Sequence, residues 1–513
     1  MLRILPLLLT ILLSHVLVMG QDLSWKKHKK TAEQLYSQGK YVEAATHYEK
    51  AWEKKPENSA LIYQAGECYA LLKDFKKAIF AYQQVKDDDD FELVGLKYAR
   101  ALKQDGQYAA AKSAFLELSN NYQGEDRALL NQLISTEIKG AELGMRLTNN
   151  AADTRIEVRH LGEQINSLQT EIAPIPFAED LLYFSSTRKG DKAFLYRSQK
   201  RKGNWSSAIA AENLPNVPNK HLANGTFTPD AKRFYFTLCE EDNKGNGLVS
   251  ICKIYMIKRT DAGWTDPISM RDYINEEGST TTHPFVIHQD GLECLFFVSN
   301  RKGGKGGMDI WMTTREINSG DIDFTYPFNL GKQINTSGDE VTPFYDTQAG
   351  ILYFSSNGHI NLGGWDVFKA KGADKKWEHP ENMGMPINSS ADDFYYTLKP
   401  SKKGGFLASN RTAGPEKIST QHEDIFEFGP VVNRQQLYVS GEVMDKESTA
   451  DIQQVNLSLY EVSNGRERLL QRKKSNSNDY RFKILSNRNY RLVVETKGYI
   501  LSLIHISEPT RPY

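Results

Sequence analysis

Two hydrophobic periodicities divide this 513-residue chain. Between Trp25 and Leu147 apolar side chains return every three or four positions, which gives a helix one buried stripe. Small residues recur along it, among them Ala44, Ala51, Ala78 and Ala111, as closely crossing helices need. From about 150 to 430 the period shortens to two. Runs such as Leu295-Phe296-Phe297-Val298 and Leu352-Tyr353-Phe354-Ser355 are bounded by Gly, Asn and Ser, the pattern of strands joined by tight turns. Alternation resumes in Val455-Asn456-Leu457-Ser458-Leu459-Tyr460 and Asn489-Tyr490-Arg491-Leu492-Val493-Val494, so a smaller β-domain is expected over 436–500.

The strand region repeats. Ser299-Asn300-Arg301, a Gly-rich turn and Asp309-Ile310-Trp311 form one copy. Ser356-Asn357, a turn and Asp366-Val367-Phe368 form the next, and Ser409-Asn410-Arg411 with Asp424-Ile425-Phe426 a third. The three Asp residues lie 57 and 58 residues apart. Five units can be counted, each opening on an Asn-containing turn: Ile165-Asn166, Pro215-Asn216, Ile274-Asn275, Ile334-Asn335 and Ile387-Asn388. Such a period predicts a β-propeller of five blades, with a sixth from 150–165 and 430–436 left open. The expected fold class is multidomain α plus all-β: a helical solenoid over 25–147, the propeller over 150–430, then a β-sandwich. Asn300, Asn357 and Asn410 end strands and are read as turn locks; Asp309, Asp366 and Asp424 begin the following strands and can accept bonds from the same turns. Spread around a ring, these carboxylates do not converge on one ion.

The helical region has its own period. Gly39-Lys40-Tyr41 with Ala44, Tyr48 and Ala51 is followed by Asp74-Phe75 with Ala78 and Tyr82, and then by Gly106-Gln107-Tyr108 with Ala111 and Phe115. This pattern resembles the tetratricopeptide repeat, which implies stacked helical hairpins with a concave groove, capped here by the stretch 125–147. The pattern puts Lys29, Glu33, Tyr63, Glu67, Arg100 and Lys103 on the groove wall, as a surface for a protein partner.

The strand repeats resemble the PD40 class of WD40-like propeller repeats, as in TolB-type proteins, and 436–500 looks like a carboxypeptidase regulatory-like domain. The whole order resembles the PorE-like, OmpA-family periplasmic proteins of Bacteroidota envelopes. That resemblance implies a scaffold in type IX secretion or envelope organisation, with envelope proteins as partners. It also implies a peptidoglycan-binding OmpA-like domain beyond the present residues. Residues 501–513 resemble a translated transposase adapter and are set aside as a non-native tail.

Lys plus Arg equals Asp plus Glu at 64 each, so no overall field draws nucleic acid. Arg3 and the apolar run Leu7–Val18, ending at Val18-Met19-Gly20, read as a signal peptide over 1–20, which predicts export, with no transmembrane segment in the mature chain. Four Cys do not make a disulfide framework; Cys239 and Cys252 flank one turn, and whether they pair stays open. Cys68 and Cys294 read as small buried hydrophobes. No G-x-S-x-G elbow, H-E-x-x-H or P-loop occurs. His283, His288 and His359 read as surface turn residues, and Arg188, Arg301 and Arg411 as side chains decorating one face. With no metal, cofactor or catalytic set in view, the chain is expected not to be an enzyme. The alternative is a propeller that recognises a ligand or glycan, with a hydrolytic or sensor role.

Overall fold

Helices come first, as the recurring small residues require. In the computed structural model the described residues are 23–506, apart from 89, 92, 125, 150–155, 191, 213, 215–219, 243–248, 414–416, 418–420, 432–435, 445–454, 464–465, 476–478, 486–488 and 497–501. The signal-peptide reading and the Pro215-Asn216 turn lie outside them. Residues up to Tyr98 and residues from Ala99 onward form two compact units.

The first unit holds α1 (Trp25–Ser37), α2 (Tyr41–Lys54), α3 (Ser59–Leu71), α4 (Phe75–Gln83) and the start of α5 (Val94–Gln104). Ala44, Ala45, Ala51, Ala65 and Ala78 are fully buried between neighbouring helices. A Cβ at Gly66 would come within 2.9 Å of the Tyr82 ring and 3.1 Å of Ala81, so the α3–α4 crossing admits no larger residue. Buried Cys68 lies in the same crossing layer.

In the second unit, α6 (Tyr108–Asn121) and α7 (Arg127–Asn149) pack as a hairpin. Five antiparallel sheets follow. Sheet I is Glu171–Ala178, Leu181–Ser186 and Phe194–Arg201; sheet II is His221–Phe227, Arg233–Asp242 and Val249–Thr260. Sheet III is Thr281–Gln289, Leu292–Ser299 and Asp309–Glu316; sheet IV is Glu340–Asp346, Ile351–Ser356 and Asp366–Ala373. Sheet V is Asp393–Leu398, Gly405–Ser409 and Asp424–Pro430, completed by Ile156–His160 pairing with Asp424–Pro430. That pairing uses the segment considered for a sixth unit as the outer strand of the fifth sheet. Trp205, Trp264 and Trp377 sit in two-residue strands at the outer edges of sheets I, II and IV.

The first strands touch in the order I–II–III–IV–V and back to I. One hydrophobic cluster fills each junction: Leu222 with Phe234 and Tyr183, Tyr235 with Phe297, Phe296 with Phe354, Tyr353 with Phe426, and Phe406 with Phe184. Aromatic side chains, wide enough to span facing sheets, occupy every one of these junctions.

Within the second unit, helical residues approach the sheets at the loop before Asp366 and also at Gly384, beside Leu147, and Ser390, beside Gly106. The α7 helix brings Gly140 so close to Asn361 that a Cβ would lie 2.2 Å from its carbonyl oxygen. Lys103, nearly fully buried, donates to Glu137 on α7 and to the Asn361 side chain. This loop, Asn357–Gly364 of sheet IV, departs from the repeat: Gly358 stands where sheets III and V have Arg301 and Arg411.

In the last β-domain Val455–Ser463 lies between Arg466–Ser475 and Asn489–Glu495, and Gln436–Glu442 pairs with Asp479–Leu485. Val455, Leu457, Leu459, Phe482 and Leu492 form its core. Within the segment set aside as a tail, Ser502–Ile506 pairs along Asn489–Glu495.

Candidate functional site

The site is built by an irregularity that all five sheets share. In sheet III, Thr282 and Phe285 pair with Val298 and Phe296, three steps against two, so the first strand carries one extra residue. The same bulge occurs between Ile172 and Ile175, Leu222 and Asn224, Val341 and Phe344, and Phe394 and Thr397. At four of these bulges a non-glycine residue adopts the left-handed region: Ala173 (φ 53°), His283 (φ 50°), Thr342 (φ 52°) and Tyr395 (φ 54°). Each such residue costs about 1–3 kcal/mol, and positions of this kind concentrate at binding sites.

The bulges converge on one cavity of about 80 Å³ in the middle of the ring, lined by Ala173, Asn224, His283, Thr342, Tyr395 and their successors. Tyr395 reaches across it. Its hydroxyl lies 2.9 Å from His283 Nε2 and accepts from Asn224 Nδ2 at 3.3 Å. Asn224 is held in turn by the Thr237 hydroxyl, which donates to Oδ1 at 2.6 Å. The Tyr395 backbone N–H donates to the Thr342 hydroxyl at 3.2 Å. One polar network thus ties sheets II, III, IV and V at the centre, and His283 Nδ1 is buried with no partner. Burial pushes the His283 imidazole down to about 3 and the Tyr395 phenol well up, so both are uncharged at neutral pH. Among the described residues no Asp, Glu, Lys or Arg lines the cavity.

His283 therefore does not sit in a surface turn, as expected from sequence; it lies on a first strand and faces the cavity. His288 lies on the same strand, 3.1 Å from buried Glu293, and His359 is half-buried, 2.9 Å from the Ile334 carbonyl. The sequence did hold a signal for the site. Pro174, Pro284 and Pro343 fall within the first strands, each an edge strand of its sheet, where Pro is tolerated at an edge or a bulge.

Within each unit the expected groove residues meet in pairs, Tyr63 and Glu67 at Lys97, and Arg100 and Lys103 at Glu137. Lys29 pairs with Glu33 on the surface of α1. Glu67 accepts from Tyr82 and Lys97, and Lys97 also donates to the Tyr63 hydroxyl. Arg100 bonds Glu137. Lys103, expected on an open wall, is buried instead, because the loop of sheet IV covers it.

The polar residues of the repeat act within their own sheets, Asp309 and Asp366 on their own turns and the Asn residues on backbone 18 to 20 residues earlier. Asn300 Oδ1 accepts from Thr280 N–H at 2.8 Å; Asn357 and Asn410 each accept from the backbone of an Asp and donate to its carboxylate. Asp309 accepts from the Lys305 and Gly306 amides and from Asn329; Asp366 accepts from the Leu362 and Gly363 amides and from Asn382. Asp424 instead pairs with Lys417 at 2.8 Å and His160 at 3.1 Å. Arg188, Arg301 and Arg411 do not decorate a face. Each turns inward to cap carbonyls of the Ile-Asn turn of its own sheet. Sequence reading missed Glu171, Glu340 and Asp393, three carboxylates with no exposure at the start of first strands, each bonded to Ser or Thr hydroxyls. Cys239 and Cys252 face each other across two strands of sheet II and form a disulfide.

The tetratricopeptide repeat model matches residues 35–93, so this stretch carries tetratricopeptide repeats, an architecture that docks protein partners. No curated protein matches the sequence. Solved structures that match include an α-L-arabinofuranosidase from Lactobacillus brevis, at 12% identity over 51% of this chain and 92% of that one, with a TM-score of 0.33. A family 117 glycoside hydrolase of Zobellia galactanivorans matches at 13% identity over 54% and 90%, with a TM-score of 0.36. The GH32 β-fructofuranosidase BmSUC1 of Bombyx mori matches at 11% identity over 71% and 97%, with a TM-score of 0.37. These structures are enzymes, which corrects the expectation that catalysis is excluded for this chain. At such identities and TM-scores the likeness carries no argument about a reaction here. Among the described residues no helix is long and apolar enough to cross a membrane.

Proposed function

We propose that this chain is a recognition protein whose five sheets are the blades of a β-propeller with a ligand site at its centre. The observation that carries the reading is the convergence of five equivalent bulges, four of them strained, on a single cavity. A fold that needed only closure would not hold Thr342 and Tyr395 in left-handed backbone. The tetratricopeptide repeats add a protein-docking surface. The domain order supports the PorE-like, PD40 and regulatory-like readings, and with them a place in envelope organisation or secretion. The Cys239–Cys252 bond fits an oxidising compartment, and hence export.

The test is a thermal-shift screen of the whole chain against fractionated envelope metabolites, run beside Thr226→Trp, which fills the cavity. Stabilisation of the wild type by at least one fraction, absent in the folded variant, is the expected result. Equal shifts in both proteins would refute a central site.

A further inference from the structure

Resting on the central-site reading, we infer that the cavity takes an uncharged hydroxymethyl group at the end of a larger ligand. Its size sets the first limit. At about 80 Å³ the cavity is smaller than the ~150 Å³ that accommodates a benzene ring, so it admits a few heavy atoms and leaves the rest of the ligand outside. Its polar equipment sets the second. Every lining side chain that offers a hydrogen bond is a neutral amide, hydroxyl, phenol or imidazole, Asn224, His283, Thr342 and Tyr395 among them. A charged group entering here would lose its hydration with no counter-ion to replace it.

The third limit is the pattern of bonds already made. Asn224 Nδ2 and His283 Nε2 meet at one hydroxyl, that of Tyr395. An O–H both donates and accepts, and this cluster is arranged around that dual capacity. A neutral imidazole flanked by a phenol shifts its tautomer to suit a second hydroxyl, whereas an ammonium or a carboxylate supplies donors only or acceptors only. The proline and phenylalanine side chains at the rim, Pro284, Phe285, Pro343 and Phe344, present apolar surface to the C–H bonds that carry such a group. A sugar and a serine side chain both carry a hydroxymethyl group, and the experiment separates them.

The experiment titrates methyl β-D-glucoside, N-acetylserinamide, glucuronate and methyl 6-amino-6-deoxy-β-D-glucoside into the full chain. Binding is read by calorimetry and by the NMR signals of ring-labelled His and Tyr, assigned through Tyr395→Phe and His283→Gln. The expected result is saturable binding of a neutral compound with movement of the His283 and Tyr395 signals. The charged sugars should bind at least tenfold more weakly, affinity should stay flat from pH 5 to 8, and Tyr395→Phe, shown to be folded by a cooperative unfolding transition, should bind at least tenfold more weakly. Binding of the glucoside supports a saccharide ligand, and binding of N-acetylserinamide a peptide one. Preferred binding of a charged compound at these signals would overturn the inference and leave the central site standing. No signal change with any compound would overturn both.

Discussion

Replacing Lys103 with Met removes the cation on which the helix-to-sheet junction turns. Lys103 has 2% of its side chain exposed and donates to both Glu137 and Asn361. Taking away one partner of a buried pair costs about 3–5 kcal/mol, because the remaining charge stays desolvated. Arg100 keeps hold of the other Glu137 oxygen but is itself 45% exposed, so the lower end, about 3 kcal/mol, applies. Burial tends to raise the Glu137 carboxyl; Lys103 and Arg100 outweigh it and hold the group below its ordinary value. This stabilisation is therefore present above the ordinary carboxylate range and lost as pH falls through the depressed value. Lys103→Met should flatten that acid dependence. Urea unfolding followed at pH 4 and pH 7, with hydrogen exchange over 357–364 and α7, reads both effects. Lys103→Met/Glu137→Leu should recover most of the loss. A wild-type midpoint for the single variant, or a double variant no better than the single, would refute the reasoning.

Three further outcomes are expected. Among the described residues Glu340 has no cation partner, unlike Glu171 with Arg188 and Asp393 with Arg411, and burial pushes it up to about 7. Its contribution is complete below the ordinary carboxylate range and falls as pH rises to about 7, so Glu340→Gln should remove a slope worth about 3 kcal/mol, read from urea midpoints against pH. Reducing Cys239–Cys252, which closes a separation of 13 residues, should cost about 2–3 kcal/mol; an unchanged melting temperature in Cys239→Ala/Cys252→Ala would contradict this. Gly225→Ala places a Cβ 2.4 Å from the Phe234 ring and 2.9 Å from the Tyr235 carbonyl, so it should destabilise by about 1–3 kcal/mol in the same assay.

Periodicity by itself determined the order of elements in this chain, the count of five strand units and the turn positions of Asn300, Asp309, Asn357 and Asp366. These depend on contacts within a few tens of residues, and such contacts leave a regular trace. Small residues at helix crossings were legible for the same reason, since Ala44, Ala78 and Ala111 recur where backbones must approach. Only the tertiary structure decided which residues meet at the centre. Asn224, His283, Thr342 and Tyr395 lie 53 to 59 residues apart along the chain and come together because the first strands close into a ring. The burial of Lys103 was equally unreadable, because its partner Asn361 lies 258 residues away in the loop that breaks the repeat. A local pattern records how a segment packs on its neighbours in sequence; the cavity and the junction are set by ring closure and docking, where distant residues share one desolvated space.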